Sequence, residues 1–195
     1  MAVPFRHATD YLARILCSLA WFSVPAKVEN FYADRVCCLE LTPSGHIIYN
    51  INMRLVLDTD VFLAGLRSRL GASRVLLHGG LSGVFDWLMS PALFLEYEAV
   101  LMRPENLLVV GWSENAAATF LAGIAEAITP ISLDFVWRPQ LKDPADEMVL
   151  ETAVNGGADY LVTFNVRHFV PAAKRFGVNT LRPGELLARH PEEFQ

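Results

Sequence analysis

The short stretch Leu55-Val56-Leu57-Asp58-Thr59-Asp60 constrains the fold more than any other part of this sequence. Its three large aliphatic residues follow one another without polar alternation, which is typical of a strand buried on both faces of a parallel sheet. Such a sheet needs crossover connections, usually helices, that cover both of its faces. The stretch therefore predicts an α/β fold, and it ends abruptly in two carboxylates that resist burial next to each other.

The remainder of residues 53–195 continues the alternation of strands and helices, and the sequence predicts right-handed βαβ units around a mainly parallel sheet. Helix starts are marked by capping residues, as at Ser90-Pro91 and Ser113-Glu114. Four further expectations concern single segments. They are a helix over 73–81 interrupted at Gly79-Gly80, a strand over 131–136, a helix over 144–155 capped by Asp143, and a short helix over 171–176.

The composition indicates a well-supplied hydrophobic core and excludes some classes of protein. The chain is 53% hydrophobic with a mean hydropathy of +0.31, yet no apolar run reaches the roughly 18–20 residues of a membrane-spanning helix. Its net charge of −5 argues against a generally basic nucleic-acid surface, so any such binding has to depend on local clusters. Three cysteines, Cys17, Cys37 and Cys38, suggest neither a disulfide framework nor a zinc motif and favour a reducing, cytoplasmic setting.

Residues 1–52 differ from the rest of the chain. They contain all three cysteines and an apolar stretch over 11–24 without a clear helical stripe, and Asp10 and Arg14 fit a secretory signal poorly. Two interpretations are open: a genuine extension that packs on the domain or forms a hairpin, or an over-extended reading whose natural start is Met53. We favour the second, because residues 53–195 read as a self-sufficient domain.

Polar side chains occur where an open α/β sheet gathers its ligands, outside the carboxyl ends of the strands. Asp58 and Asp60 follow the first predicted strand, and Thr163 and Asn165 follow the fourth. Asp60 could also cap a helix that starts at Val61. Asp58 has no such simple explanation, since three large aliphatic residues precede it.

Three more carboxylates come from other predicted elements. Glu96 borders the apolar face of a helix, and Asp143 and Asp146 occupy the first turn of another, where the helix dipole favours negative charge. Taken singly, Asp143 reads as a plain helix cap and Glu96 as a solvated helix residue. Taken together, oxygen ligands from separate elements are what Mg²⁺ or Mn²⁺ requires, and a bound cation would offset the repulsion between the aspartates and support phosphodiester hydrolysis.

Three segments in this order and spacing resemble the PIN-domain family: LVLDTDVFLAGL, SPALFLEYEAVL, and DPADEMVLETAVNGGADYLVTFN followed by RHF. The resemblance covers residues 53–195, and it is greatest to the bacterial branch that supplies the toxins of toxin–antitoxin pairs. It implies a three-layer α/β/α sandwich and a Mg²⁺- or Mn²⁺-dependent ribonuclease of the cytoplasm. It also implies an RNA substrate, a cognate antitoxin protein as partner and a possible homodimer.

Carried over to this chain, the resemblance assigns catalysis and metal binding to Asp58, Glu96 and Asp146, with Asp143 as a companion ligand. Asp60 stands where the family commonly has asparagine and is a supporting residue, as is Thr163. Asn165 is a departure, because many members have a fourth aspartate there. An amide can ligate Mg²⁺ or orient a water but brings no charge, which leaves open whether one metal or two are bound.

The densest basic cluster near the first acids comprises Arg67, Arg69 and Arg74, which we expect to hold an RNA backbone. Trp87, Trp112 and Trp137 are expected in the core or at an interface rather than as base-stacking platforms. Two alternatives to a nuclease stay open. One is a catalytically weakened module that binds RNA or protein. The other is a dehalogenase-type phosphatase. The stretch LVLDTDV also resembles the opening of that family, and Lys142, Asp143 and Asp146 weakly mimic its downstream lysine and paired aspartates.

Overall fold

The computed structural model describes residues 53–194, so the expectations for residues 1–52 lie outside the described range. Within that range the chain forms five strands, eight α-helices and one 3₁₀ turn. In chain order they are β1 (Arg54–Leu57), α1 (Thr59–Arg67), α2 (Ala72–Leu81), β2 (Asp86–Met89), α3 (Pro91–Leu101), α4 (Pro104–Val110), α5 (Glu114–Ala127), β3 (Thr129–Pro130), α6 (Glu147–Asn155), β4 (Tyr160–Val162), α7 (Val166–Ala173), the 3₁₀ turn (Lys174–Phe176), β5 (Asn179–Leu181) and α8 (Pro183–Arg189).

The five strands form one parallel sheet in the order β3-β2-β1-β4-β5. The order reverses between β1 and β4, and right-handed crossovers then place the connections of the two halves on opposite faces of the sheet. Accordingly, α6 packs on β1, β2 and β4, whereas α1 packs against α2, α3 and α4. The predicted three-layer α/β/α sandwich is confirmed.

Strand β1 lies at the centre of the sheet, and its residues Leu55, Val56 and Leu57 are fully buried. This explains the absence of polar alternation, because helices cover both faces of the strand. Behind it, the buried ring of Tyr97 stacks on Phe62 at 4.2 Å between centroids, and its hydroxyl donates to the Leu57 carbonyl at 2.5 Å. Helices α1 and α3 are thereby held at the carboxyl end of β1.

The predicted interruption at Gly79-Gly80 is wrong, since α2 runs through both glycines. A Cβ at position 80 would lie 2.7 Å from Cε3 of Trp87, which is closer than side chains pack. Glycine is needed at this point because the helix approaches the sheet closely, and it does not break the helix.

The predicted strand over 131–136 is also wrong, because β3 comprises only Thr129–Pro130. Beyond it, Ile131 still donates to the Met89 carbonyl at 2.8 Å, but the chain then leaves the sheet. Phe135 pairs instead with the side chain of Asn155, which accepts from its N–H and donates to its carbonyl, both at 2.9 Å. A side chain on α6 thus replaces the neighbouring strand.

Two helices begin elsewhere than predicted. Helix α6 starts at Glu147 with Asp146, not Asp143, in the capping position, because the Glu147 carboxylate accepts the N–H groups of Gln140 and Leu141 and holds the preceding residues in turns. Helix α7 starts at Val166, and Pro171 lies inside it rather than at its beginning. In the part of the chain that the structure describes, no single helix is long and apolar enough to cross a membrane.

Candidate active site

The crevice at the carboxyl ends of β1 and β4 lies where the strand order reverses, which is the usual ligand site of an open α/β sheet. Asp58 directly follows β1 and Thr163 directly follows β4, and the backbone N–H of Asp58 donates to the Val162 carbonyl at 2.9 Å. This pairing brings Asp58 and Thr163, which are 105 positions apart in sequence, into contact.

The Asp58 carboxylate is held at both oxygens and is only 5% exposed. Its Oδ1 accepts the N–H of Thr59 at 2.8 Å, which makes Asp58 the N-cap of α1. Its Oδ2 accepts the hydroxyl of Thr163 at 2.6 Å, and that hydroxyl oxygen in turn accepts the N–H of Asn165 at 2.9 Å. Because α1 begins at Thr59, the alternative that Asp60 caps a helix starting at Val61 is wrong, and Asp60 lies in the first turn.

The two aspartates after β1 lie where their charged forms are disfavoured. Burial, reinforced by the charge of Asp60, raises the pKa of Asp58 to about 7, although the hydrogen bond from Thr163 lowers it. Burial also raises the pKa of Asp60, and among residues 53–194 its buried Oδ1 has no hydrogen-bond partner. Among the described residues, neither aspartate has an ion-pair partner. The fold therefore places uncompensated negative charge at this edge of the sheet.

Asp146 reaches the same crevice from the start of α6. Burial raises its pKa, the charges of Asp143 and Asp60 raise it further, and His168 on α7 lowers it. Asp143 itself is exposed, and its Oδ1 accepts the N–H of Ala145 at 2.9 Å within a turn. The structure thus gathers Asp58, Asp60 and Asp146, with Asp143 and His168 at the margin.

For two further candidate ligands, the structure shows no side-chain hydrogen bond that ties them to this cluster within residues 53–194. Glu96 is half-buried on α3, one residue before Tyr97, and among residues 53–194 its carboxylate makes no hydrogen bond. Asn165 is exposed at the N-cap position of α7, where its backbone rather than its amide contacts Thr163. Their assignment as ligands stays a prediction.

An open groove runs from the acidic crevice across α1. Its first part, of about 480 Å³, is lined by residues that include Asp60, Arg67 and Phe164, and a second part of about 600 Å³ continues to Arg182 on the far side. Of the three arginines expected to bind RNA, Arg67 lines this groove and donates to the side chain of Asn106. Arg69 and Arg74 do not line either part, and Arg74 is half-buried on α2.

The sequence did not single out Phe164, which lines both parts of the groove and is 42% exposed. Its position at the end of an apolar strand is typical of a core residue, so nothing in the sequence indicates that the ring is exposed. Glu147, Glu151 and Arg138 were also missed. Both glutamates are buried, and Arg138 binds Glu151 through two hydrogen bonds of 2.8 Å. Glutamates on a helix are mostly exposed, so the local sequence does not indicate that these two are buried.

The donor set at the crevice fits a hard divalent cation. Carboxylate oxygens are its preferred ligands, and a cation would satisfy the buried Oδ1 of Asp60, which has no hydrogen-bond partner in the described part of the chain. Within residues 53–194, no three Asp, Glu, His or Cys side chains already surround one point. Mg²⁺ usually keeps several waters and uses only one or two protein carboxylates plus substrate phosphates, so Asp58 and Asp60 match that mode.

The fold and the site define a doubly wound α/β protein with an acidic crevice at its topological switch point. The family model for the PIN domain matches residues 54–167, more than half of the chain, and the chain belongs to this family. PIN domains are in general nucleases, so a nuclease-type function follows, rather than that of a dehalogenase-type phosphatase. No curated protein matched the chain in a sequence comparison.

Proposed function

We propose that this protein is a Mg²⁺- or Mn²⁺-dependent endoribonuclease and the toxin of a toxin–antitoxin pair. The observation that carries the metal dependence is the pair of buried Asp58 and half-buried Asp60, with a raised pKa at both residues and, among the described residues, no hydrogen-bond partner for the buried Oδ1 of Asp60. A folded domain tolerates such a pair when a cation neutralises it. The toxin role rests on the resemblance of the three sequence segments and on family membership.

In this proposal, Asp58, Asp60 and Asp146 hold the cation, with Asp143, Glu96 and Asn165 as further candidate ligands. A bound divalent cation supplies stabilisation of the charge that develops on the phosphate and promotes deprotonation of a water. Thr163 favours the ionised form of Asp58, because its hydroxyl donates to the carboxylate. Arg67 offers a cation to the RNA backbone, and the exposed ring of Phe164 offers a face on which a base can stack.

The test is Mn²⁺ binding by calorimetry on the full chain, combined with cleavage of labelled single-stranded RNA with and without EDTA. We expect saturable binding and cleavage that EDTA abolishes and Mn²⁺ restores. Asp58→Asn should lose both by at least tenfold and remain folded. Asp134→Asn is the matched control, since it removes an exposed aspartate outside the crevice and should change neither.

A folded wild-type chain that binds no Mn²⁺ and cuts no RNA would contradict the proposal. It would favour the catalytically weakened binding module, for which Asn165 is the first residue to change. In that case Asn165→Asp should restore metal binding. Cleavage that proceeds undiminished in EDTA would refute the metal dependence but keep the nuclease.

A further inference from the structure

Three aromatic rings, two exposed and one half-buried, form a stack on the side of the domain where α6 and α7 lie. Trp137 stacks on Phe135 with centroids 5.1 Å apart and on Phe176 with centroids 5.3 Å apart. Phe135 is 59% exposed and Trp137 is 43% exposed. We call these three residues the aromatic column. Of the two predicted locations for Trp137, the core is wrong and an interface stays a prediction, whereas Trp87 is buried and Trp112 packs on Phe120.

The aromatic column is mounted on a rigid support. The extended segment 135–141 runs antiparallel to α6 and is held by three α6 side chains spaced four residues apart, one per turn. Asn155 hydrogen-bonds the Phe135 backbone, and Glu151 binds the Arg138 guanidinium. Glu147 accepts the backbone N–H groups of residues 140 and 141. Rings held in this way lose little conformational entropy when a ligand binds.

The chain beside the column is basic although the whole chain is acidic. No Asp or Glu occurs between Asp159 and Glu185. Basic residues do occur in that interval: Arg167, His168, Lys174, Arg175 and Arg182. Lys174 and Arg175 are exposed and directly precede Phe176 of the column, whereas Asp134 is the exposed acid that precedes Phe135. Exposed aromatic faces next to cations are the features that bind single-stranded nucleic acid.

The column lies within reach of the acidic crevice. Helix α6 begins beside Asp146, and its residues Glu151 and Asn155 hold the segment that carries Trp137 and Phe135. At about 1.5 Å per residue, these contacts are roughly 8 to 14 Å from Asp146 along the helix. That distance corresponds to roughly two to four stacked nucleotides at about 3.4 Å each.

We propose that the aromatic column is a base-stacking site for single-stranded RNA, a few nucleotides from the cleaved phosphate. The proposal rests on the nuclease function proposed above and adds a second contact with the same strand, on the other side of the crevice from the groove at Phe164. A second copy of this chain is a less suitable occupant. A symmetric contact through the same surface would bring Lys174 and Arg175 of one copy near those of the other.

The test is the affinity of the full chain for a labelled single-stranded RNA of twelve nucleotides, measured by fluorescence anisotropy in EDTA so that no cleavage occurs. Trp137→Ala removes the ring that joins Phe135 and Phe176 into one column, and it should weaken binding about 5- to 150-fold, the range that corresponds to one base–aromatic stack. Trp137→Phe should retain most of the affinity. Trp112→Ala is the matched control and should bind as the wild type does. Affinity for double-stranded RNA, whose bases are not available for stacking, should be unchanged in all variants.

The outcomes separate this proposal from the one on which it rests. If the wild type binds and cleaves RNA and a folded Trp137→Ala variant binds equally well, the column proposal is wrong and the nuclease stands. If the wild type neither binds nor cleaves RNA, the proposed function fails first. A Trp137→Ala variant that becomes monomeric with unchanged RNA affinity would identify the column as a self-association surface instead.

A measurement without any variant covers the case in which Trp137→Ala does not fold. RNA that carries photoreactive iodouridine is crosslinked to the wild-type chain, and the modified peptides are identified by mass spectrometry. Crosslinks at Phe135, Trp137 or Phe176 support the proposal. Crosslinks confined to Phe164 and the groove overturn it.

Discussion

At the scale of single residues, the contact between Asp58 and Thr163 decides the chemistry of the crevice. Burial and the neighbouring Asp60 favour the protonated form of Asp58, whereas the hydroxyl of Thr163 favours the carboxylate. The pKa of about 7 is the balance of these opposing effects near neutral pH. A small change in this one hydrogen bond therefore changes the fraction of Asp58 that can act as a ligand.

Replacing Thr163 tests that balance. In Thr163→Val, Asp58 loses the 2.6 Å hydrogen bond, so its pKa should rise further and Mn²⁺ binding and cleavage should require a higher pH. We expect the unfolding free energy at pH 8 to fall by roughly 1–3 kcal/mol, because a buried carboxylate loses a donor. Thr163→Ser retains the hydroxyl and should restore the wild-type pH profile. A Val variant with an unshifted profile would show that Thr163 is merely a strand residue.

At the scale of elements, the segment 135–141 depends on α6 rather than on the sheet. Arg138 is half exposed, yet its two hydrogen bonds satisfy the buried carboxylate of Glu151. Removing the arginine leaves that carboxylate without its cation, which costs more than the surface pair itself contributes.

This asymmetry predicts the result of a double-mutant cycle. Arg138→Leu should lower the unfolding free energy by roughly 1–3 kcal/mol and speed amide exchange around Phe135. The double variant Arg138→Leu with Glu151→Leu should recover part of that loss, because no buried charge is left unpaired. Urea denaturation and hydrogen exchange measure both effects. Additive losses in the double variant would refute the coupling.

The elements also show how far sequence patterns reach. The apolar run of β1 and the caps at Ser90 and Ser113 were readable, because each depends on a few consecutive residues. The end of β3 and the start of α6 were not predictable in this way. There the side chains of Asn155 and Glu147 accept backbone N–H groups 20 and 7 positions away in sequence. Local propensity cannot register such competition.

At the scale of the whole molecule, the acidic crevice makes stability depend on pH. Asp58 binds its proton more tightly in the folded chain, with a pKa of about 7, than in the unfolded chain, whose ordinary value is 3.8. Its favourable contribution is therefore complete below the unfolded pKa and is lost as pH rises through the folded value. Asp60 and Asp146, whose pKa values are also raised, act in the same direction.

We expect the metal-free full chain to lose on the order of 1–3 kcal/mol of unfolding free energy between pH 5 and pH 8. Asp58→Asn should flatten this decline, since an amide does not titrate, whereas Asp134→Asn should keep it. Urea denaturation in EDTA at the two pH values measures the difference. A wild-type chain that becomes more stable over this range would contradict the raised pKa of Asp58.

The α/β class, the parallel sheet and the positions of Asp58 and Thr163 after strands were predictable from the sequence, because they follow from patterns within a few residues. The contact between Asp58 and Thr163, the charge coupling of Asp146 to the two aspartates and the exposure of Trp137 depend on the tertiary fold instead. The physical reason is that burial and charge coupling depend on distances through space. Those distances are set by how the crossovers pack, and no local pattern encodes them.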